Sequence, residues 1–490
     1  MLKKLRKLLH KESAAEPIFF YNTLTKSKDE FVLPPWSETV RMYNCGPTVY
    51  GRQHIGNLSM FVFTDMLRRA LEYNKLPVKQ VINFTDVGHL VSDADDGEDK
   101  MTKGLKAEGL ELNLENMKTL GKKYAERFKE DIQKLNIDTT KILFPYASDY
   151  IADDIAMIRA LEEKEYAYRT KKGVYFDTSK FPAYGKLGNI ELSGLKEGAR
   201  VAADKEKKHP TDFNLWKSNK KLGWNSPWGK GFPGWHIECS AMIHKHLGET
   251  IDIHTGGIEH IPIHHNNEIA QTEAATGKEL ARFWLHRAHL QLEGGKMAKS
   301  EGNVVYLSDI LERGFHPMAF RYLLLGTHYR TSGSFNWEAL EAAQTSFLKL
   351  RRFVEATSEV GTPPPSYQKK IQERFNDDLD TAGALSLVWE MTKDKSISPA
   401  DLRAGILDAD KVFGLGLGEP DTAADDLAQK MFGKPVANDD LPEEILERIR
   451  ERETAREEKN WELADSIRKE LEAKGYILED APDTTRISQK

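Results

Sequence analysis

The chain contains almost no cysteine: only Cys45 and Cys239 occur among its 490 residues. Two such residues exclude a disulfide framework and are typical of a protein from a reducing compartment. Long apolar runs are also missing, since no stretch approaches the ~20 residues that a membrane-spanning helix needs. The sequence therefore predicts a soluble, cytoplasmic protein that does not enter a membrane.

An excess of one charge is absent as well. The 70 lysine and arginine residues oppose 76 aspartate and glutamate residues, which leaves a net charge of −6. A nucleic-acid partner would therefore have to bind a local basic surface. No internal repeat is evident, which argues against a solenoid, and a length of roughly 150 residues per domain predicts about three domains.

Residues 1–11 (MLKKLRKLLHK) are basic, but their apolar stretch is too short for a secretory signal. Acidic residues follow at Glu12 and Glu16. We interpret residues 1–16 as a solvated or helical extension. A mitochondrial presequence is the alternative, although such segments are rich in arginine and serine and poor in acidic residues.

The order of sequence patterns predicts a nucleotide-binding α/β fold. Residues 39–45 have strand composition and end at the turn Gly46-Pro47, and apolar residues recur at helical spacing from Leu58. Residues 78–85 then have the composition of another strand. A strand, a helix and a strand within about 45 residues form a β-α-β unit, which builds a parallel sheet.

A second set of patterns predicts the other half of this sheet. A strand-like run over 250–254 leads to Gly256-Gly257, and a helical run begins at His264 and is closed by Gly277. Between the two halves, residues 93–106 are highly charged and predict a surface loop. We interpret most of the intervening chain as an insertion.

The C-terminal part is predicted to be helical from about Asp309. Residues 361–367 (GTPPPSY) are a candidate linker. The last two helices are expected over 443–458 and 460–473, with Asn460 as N-cap and Gly475 as the residue after the C-cap. The predicted boundaries are an extension over 1–16, a first sheet half over 17–105, an insertion over 106–222, a second sheet half over 223–308, and helical regions over 309–360 and 361–490.

A motif of four residues, His54-Ile55-Gly56-Asn57 (HIGN), follows the first predicted strand and begins the first helix. Free N–H groups and the helix dipole favour a phosphate there, and Gly56 lets a nucleotide approach the backbone. His54 and Asn57 can hydrogen-bond the charge that develops when a phosphate is attacked. Alone, the motif is equally typical of a surface histidine beside a helix cap.

A second motif, residues 294–300 (GGKMAKS), follows about 240 residues later. Its glycines give mobility and its two lysines are spaced to clamp a triphosphate, although such a turn is by itself typical of a solvated loop. In this order and at this separation, the two motifs resemble the HIGH and KMSKS signatures of class I aminoacyl-tRNA synthetases, with Asn57 and Ala298 as departures. The resemblance implies a catalytic set that acts on the phosphates of ATP: His54, Asn57, Lys296 and Lys299.

Four further segments resemble cysteinyl-tRNA synthetases and stand in the order of that family. They are residues 43–50 (YNCGPTVY), 83–86 (NFTD), 233–242 (PGWHIECSAM) and 264–268 (HHNNE). The similarity extends from about Phe20 to the C-terminus. The departures are local: Asn266 replaces a frequent glutamate, and Ile258, Glu259 and Ile263 stand where serine, aspartate and proline are common.

The resemblance gives both cysteines a role. Without it, two distant cysteines that lack a CxxC spacing are typical of buried apolar residues. In the family, a zinc ion is held by the counterparts of Cys45, Cys239, His264 and Glu268. These side chains are chemically sufficient for a tetrahedral site, and the last two are spaced i, i+4 on one predicted helix. We therefore expect one zinc ion per chain, which also binds the thiolate of the substrate cysteine.

The substrate pocket is assigned through the same resemblance. Trp235 is expected to form the floor of the cysteine pocket, with a core aromatic residue as the alternative, and Gly46 and Thr85 resemble the contacts to the amino-acid ammonium group. Besides the motif residues, including Gly56, we place His254, Gly256 and Gly257 beside ATP. The neighbouring histidines are expected to line the pocket or to orient the ligands: His236, His260 and His265.

Residues 375–382 and 478–486 resemble the anticodon-binding helical domain of the family. The resemblance therefore implies that residues 361–490 bind tRNA(Cys) and that 309–360 contact its stem. Four arginines are candidate phosphate contacts, although glutamates are interleaved with them and a solvated, salt-bridged helix face is the alternative: Arg448, Arg450, Arg452 and Arg456.

The implied activity is the activation of L-cysteine by ATP, with Mg²⁺, to a cysteinyl adenylate, and its transfer to tRNA(Cys) by a monomeric enzyme. One alternative is a related ligase that joins cysteine to an amino sugar. Such ligases lack the anticodon domain, whereas 190 residues (490 − 300) follow Ser300 in this chain. The other alternative is a non-catalytic relative that binds tRNA.

Overall fold

The computed structural model describes residues 16–35, 37–87, 100–190, 206–292, 304–436, 440–480 and 485–489. The predicted N-terminal extension and both signature lysines, Lys296 and Lys299, lie outside these residues. The assignments made for them remain predictions.

The first half of the central sheet has the predicted order of elements. A hairpin of β1 (Phe19–Asn22) and β2 (Ser27–Glu30) precedes β3 (Val40–Asn44), α1 (Ile55–Tyr73) and β4 (Val78–Ile82). Strands β3 and β4 are parallel, which confirms the β-α-β unit. Helix α1 begins three residues before Leu58, because His54 provides an N-cap that accepts a hydrogen bond from the backbone of Asn57.

The prediction of a surface loop over 93–106 is wrong for its last part. Residues from Lys100 onward form α2 (Lys100–Ala107), which lies against α3 (Leu114–Lys134). Met101 and Leu105, spaced i, i+4, are buried in an apolar cluster with residues of α3. This apolar pair outweighs the charges around it, because burying it stabilises the helix by packing.

The insertion contains a sheet of its own. After the short strand β5 (Ile142–Leu143) and helix α4 (Ile151–Glu163), an antiparallel sheet forms in the order β6-β7-β8-β9. Its four strands are β6 (Ala167–Arg169), β7 (Gly173–Phe176), β8 (Phe213–Ser218) and β9 (Gly231–Pro233). Trp216 of β8 is fully buried in the core between this sheet and α4.

The second half completes a five-stranded parallel sheet. It consists of α5 (Trp235–Leu247), β10 (Ile251–Gly257), α6 (His264–Thr276) and β11 (Ala281–Arg287). The strand order is β11-β10-β3-β4-β5, and every neighbouring pair is parallel. The predicted strand over 250–254 is longer than expected, because it includes Gly256 and Gly257, and Gly277 ends α6 in the left-handed conformation as predicted.

Helices dominate the chain beyond this sheet, as predicted. The elements are β12 (Leu290–Leu292), α7 (Leu307–Glu312), α8 (Pro317–Leu325), β13 (Gly333–Phe335), α9 (Trp337–Glu355), α10 (Pro365–Asn376), α11 (Thr381–Met391), α12 (Pro399–Phe413) and α13 (Thr422–Phe432). The candidate linker at 361–367 is partly helical and packed: a Cβ atom on Gly361 would lie 2.2 Å from the backbone of Ala400.

The C-terminal helices have the predicted caps. Helices α14 (Glu443–Glu457) and α15 (Trp461–Ala473) follow β14 (Lys434–Pro435), and the Asn460 side chain accepts a hydrogen bond from the backbone N–H of Leu463. The sequence reasoning missed an antiparallel sheet of β14 with two later strands, β15 (Tyr476–Asp480) and β16 (Thr485–Gln489). Leu478 and Ile487 of this sheet are buried against both helices.

The chain divides into two compact units. The first comprises residues 1–310, 327–335 and 375–380, and the second comprises 311–326, 336–374 and 381–490. This division does not coincide with the candidate linker, and the predicted domain boundaries remain predictions. Among the described helices, none combines the length and the apolar character that crossing a bilayer requires.

Candidate active site

The four residues proposed as zinc ligands lie together at the carboxyl edge of the parallel sheet. Cys45 follows β3, Cys239 lies on α5, and His264 and Glu268 lie one turn apart on α6. One donor atom from each residue lies within 4.8 Å of the others, and all four residues are buried. The fold thus brings together side chains that are separated by up to half of the sequence.

The Glu268 carboxylate is shared between two imidazoles. Its Oε2 atom lies 2.7 Å from Nε2 of His254, and its Oε1 atom lies 2.8 Å from Nε2 of His264. The second contact is an ion pair without good hydrogen-bond direction, because Nε2 of His264 has no hydrogen-bond partner among the described residues. A buried nitrogen in this position is suited to bind a metal ion.

These contacts change the charge states of the ligands. Burial by itself would raise the pKa of Glu268, but His254 and His264 lower it well below its ordinary value. Burial by itself would lower the pKa of His264, but Glu268 raises it to about 10. A hydrogen bond from Cys45 lowers the pKa of Cys239 to about 6, whereas burial raises the pKa of Cys45. One thiolate and one carboxylate are therefore available near neutral pH.

The donor set fits a zinc ion. Two sulfur atoms, one imidazole nitrogen and one carboxylate oxygen are the ligand types that zinc accepts in tetrahedral sites. All four residues are buried, and the nitrogen of His264 lacks a hydrogen-bond partner in the described part of the chain. The sequence-derived ligand set is therefore consistent with the arrangement of the side chains.

A second group of four residues overlaps with the first. Cys45 and Glu268 also lie with His254 and His265, again with all donor atoms within 4.8 Å. The Nε2 atom of His265 is 3.4 Å from Sγ of Cys45, and its Nδ1 atom is 2.8 Å from Nε2 of His286. His254, predicted beside ATP, thus lies against a ligand carboxylate, and its nucleotide role remains a prediction.

Sequence reasoning missed His286 and left the role of His265 open. His286 lies on β11, and its Nδ1 atom is 2.7 Å from the hydroxyl of Thr23. Burial lowers the pKa of His286 to about 3 and also lowers the pKa of His265. Both rings are therefore neutral near pH 7. The only signal in the sequence was the density of histidines, which does not indicate their partners.

The residues assigned to the cysteine pocket contact this group of four residues or its neighbours. The ring of Trp235 lies 3.9 Å from the ring of His264, measured between centroids. The backbone N–H of Gly46 donates to Oδ1 of Asn83 at 2.9 Å, and the same side chain donates to the hydroxyl of Thr85 at 3.3 Å. Trp235 is only partly buried, which distinguishes it from a core aromatic residue.

The HIGN segment forms the beginning of α1 at the same edge of the sheet. Nδ1 of His54 accepts a hydrogen bond from the backbone of Asn57, whose side chain is bonded to Gln53. The chain leaves the described residues after Leu292 and returns at 304, and the backbone N–H of Ile55 then donates to the carbonyl of Val305 at 2.9 Å. The described chain therefore resumes beside the start of α1.

Gly256 and Gly257 end β10 at this edge. A Cβ atom on Gly256 would lie 2.6 Å from ring atoms of His260 and His265, and one on Gly257 would lie 2.2 Å from the carboxylate of Glu259. The rings of His260 and His265 therefore leave no room for a side chain at Gly256, whereas at Gly257 the exposed Glu259 side chain could move aside. The structure gives a reason for the first glycine, and the contact of both with ATP remains a prediction.

Comparison with known proteins gives consistent results. Residues 32–345 match the family model for the tRNA synthetases class I (C) catalytic domain, and residues 438–487 match that for the cysteinyl-tRNA ligase anticodon binding domain. The second match favours a tRNA substrate over the amino-sugar alternative.

In fold, the chain resembles Mycobacterium tuberculosis methionyl-tRNA synthetase in complex with methionyl-adenylate. The TM-score is 0.56 at 15% identity, and the alignment covers 80% of this chain and 93% of the other.

Two curated relatives align along almost the whole chain. Cysteine–tRNA ligase 1 of Burkholderia lata is 43% identical over 477 residues, which cover 96% of this chain and 97% of the relative. Cysteine–tRNA ligase of Treponema denticola is 40% identical over 499 residues, which cover 95% and 98%.

The close approach at Gly46 generates a testable prediction. A Cβ atom there would lie 1.6 Å from the backbone oxygen of Asn83, so Gly46→Ala must displace the loop after β4. We expect a destabilisation of about 1–3 kcal/mol, measured as a lower thermal midpoint. Gly326→Ala is the control, since its nearest contact is an ordinary 3.5 Å. Equal midpoints for both variants would contradict the packing described.

Proposed function

Because the chain belongs to the cysteine–tRNA ligase family of class I aminoacyl-tRNA synthetases, we propose that it activates L-cysteine with ATP and transfers it to tRNA(Cys). The first step forms cysteinyl adenylate and pyrophosphate. The second joins the cysteinyl group to the terminal adenosine of the tRNA and releases AMP. The buried group of Cys45, Cys239, His264 and Glu268 beside the start of α1 is the observation that carries this proposal.

The nucleotide is proposed to bind where α1 begins. The helix dipole attracts phosphate to this end, where His54 is placed, although the N–H groups of Ile55 and Asn57 already donate to Val305 and His54. Lys296 and Lys299 are proposed to hold the phosphates and to stabilise the charge that develops as pyrophosphate leaves. The hydrogen bond between Ile55 and Val305, six residues after Lys299 in the sequence, supports this proposal.

Cysteine is proposed to be recognised through a metal held by the first group of four residues. This group is favoured over the second because it contains both thiols, which are the softest donors at the centre. A zinc ion bound there would supply a Lewis acid that attracts the sulfur of cysteine more strongly than the hydroxyl of serine. His254 then orients Glu268, and Trp235 closes the pocket beside His264.

The activity is tested by two assays on the purified chain. We expect ATP–pyrophosphate exchange that depends on cysteine and is much weaker with serine, since recognition by one specific bond can discriminate by ~10⁴. We also expect charging of total tRNA with labelled cysteine. Exchange without charging would indicate a different acceptor, and the absence of both would identify a non-catalytic relative.

The metal assignment predicts different effects for two variants. Cys239→Ser replaces a soft thiolate ligand of the first group by a hydroxyl, so zinc affinity should fall at least about tenfold, and the KM for cysteine should rise. The wild-type chain should contain about one zinc ion, measured by elemental analysis.

His265→Asn is the matched variant, since His265 belongs only to the second group. It should retain zinc. If Cys239→Ser retains the metal and His265→Asn loses it, the second group is the binding site.

The tRNA is proposed to bind the C-terminal helices through an exposed aromatic residue. Of the candidate arginines, Arg448 is paired with glutamates, Arg450 lies 3.4 Å from Glu443, and Arg452 is buried. Arg448 and Arg450 therefore belong to a salt-bridged helix face, which was the alternative to a phosphate contact. Trp461, at the start of α15, is 58% exposed and lies within the anticodon-binding match, where its ring can stack on a base.

Replacement of this ring should separate the two steps. Trp461→Ala should lower cysteinylation by about tenfold or more, since stacking on one base contributes about 1–3 kcal/mol. Cysteine-dependent exchange should be unchanged, because it requires no tRNA. Trp461→Phe, which keeps a ring, should recover most of the charging activity. Full charging by the alanine variant would exclude Trp461 from the interface.

A further inference from the structure

Arg287 is a buried cation without a carboxylate partner in the described part of the chain. It is the last residue of β11, is 4% exposed, and lies in register with Gly257 of β10. By contrast, Arg282 on the same strand is paired with Asp252 at 3.3 Å. A buried charge is costly unless an opposite charge or hydrogen bonds compensate it. The position of Arg287 therefore requires an explanation.

The guanidinium is connected to the beginning of α1. Nε of Arg287 donates to the hydroxyl of Ser59 at 3.1 Å, and this hydroxyl donates to the carbonyl of Gly56 at 2.7 Å. Gly56 lies in the first turn of the helix, within the HIGN segment. An uncharged side chain could donate the same hydrogen bond to the Ser59 hydroxyl. This bond therefore does not explain why a charged residue is buried at position 287.

The charge is present at physiological pH. Burial lowers the pKa of Arg287 only to about 10, so the side chain remains protonated. It lies at the carboxyl edge of a parallel sheet, where α/β proteins bind their ligands, and next to a helix N-terminus that favours anions. The guanidinium contacts Ser59, about one turn inside the start of α1, so two sources of positive potential lie near each other and a phosphate group is an anion that matches both.

We propose that Arg287 is a positioning residue for the nucleotide, which fixes the first turn of α1 through Ser59 and attracts a phosphate group to it. This inference rests on the proposed function, because that function places ATP at the start of α1. The substrate would then supply the counter-charge that Arg287 lacks among the described residues. The carboxylate of the amino acid is the other anion in the reaction, and the experiment distinguishes the two.

The test compares nucleotides that differ in phosphate. With Arg287→Gln, calorimetric titration should show affinity for ATP and for AMP reduced by about tenfold or more, as expected for a lost charge-assisted interaction. Affinity for adenosine should change by less than about twofold, since it carries no phosphate. In the exchange assay, the KM for ATP should rise while the KM for cysteine stays unchanged.

Three further variants separate charge from packing. Arg287→Lys keeps the charge and should recover part of the ATP affinity. Ser59→Ala removes the hydroxyl but keeps the charge, and should affect ATP less than Arg287→Gln does. Arg287→Met keeps most of the side-chain volume but removes the charge, and should lose ATP affinity as Arg287→Gln does. Arg282→Gln, on the same strand, is the control with wild-type nucleotide affinity.

Each contrary result has a distinct meaning. Equal losses for adenosine and ATP would show that Arg287 serves only the packing of the site, and a rise in the KM for cysteine alone would assign it to the amino-acid carboxylate; either outcome overturns the proposal. If Arg287→Gln fails to fold, Arg287→Lys and Ser59→Ala are compared instead, by their affinities for ATP and adenosine and their KM values for ATP and cysteine. A wild-type chain that binds ATP but shows no cysteine-dependent exchange would instead refute the proposed function.

Discussion

The carboxylate of Glu268 is the group on which the buried centre depends. It has no exposed surface, so it stays ionised only because His254 and His264 lie against its two oxygens. The three residues connect β10 to α6, and they fix the side of the helix that faces the cysteines. Removing either imidazole would leave the buried Glu268 carboxylate with only one of its two partners. The free energy of unfolding would then fall by several kcal/mol.

The parallel sheet explains how distant residues meet. The carboxyl ends of β3, β10 and β11 lie at one edge, and these ends carry Cys45, Gly257 and Arg287. Helix α1 begins at the same edge with His54. Parallel connections return the chain to this edge after each crossover, so each strand adds one group to the site while the helices cover the sheet faces. The site therefore results from topology more than from local sequence.

Local patterns predicted the elements but not their long-range partners. The β-α-β unit, the glycine that ends α6 and the Asn460 cap follow from composition and spacing within one element. The buried pair Met101 and Leu105 was obscured by surrounding charge, and the final hairpin by short strands without clear alternation. The zinc ligands were inferred through resemblance, because two lone cysteines carry no local spacing signal. The contact of Arg287 with Ser59 joins residues 228 positions apart, and no local pattern indicates it.

Groups of opposite charge at this edge of the sheet lie on different elements. Cys239 on α5 and Glu268 on α6 have lowered pKa values and offer anionic donors, whereas Arg287 on β11 and the N-terminus of α1 contribute positive potential. In a buried environment both potentials act strongly, because little water screens them. Among the described residues Arg287 has no carboxylate partner, so an anion bound beside it would reduce the cost of burying its charge. Under the proposed function, cysteine would bind on the side of α5 and α6 and the phosphates of ATP on the side of α1 and β11, so the two substrates would meet groups of opposite charge.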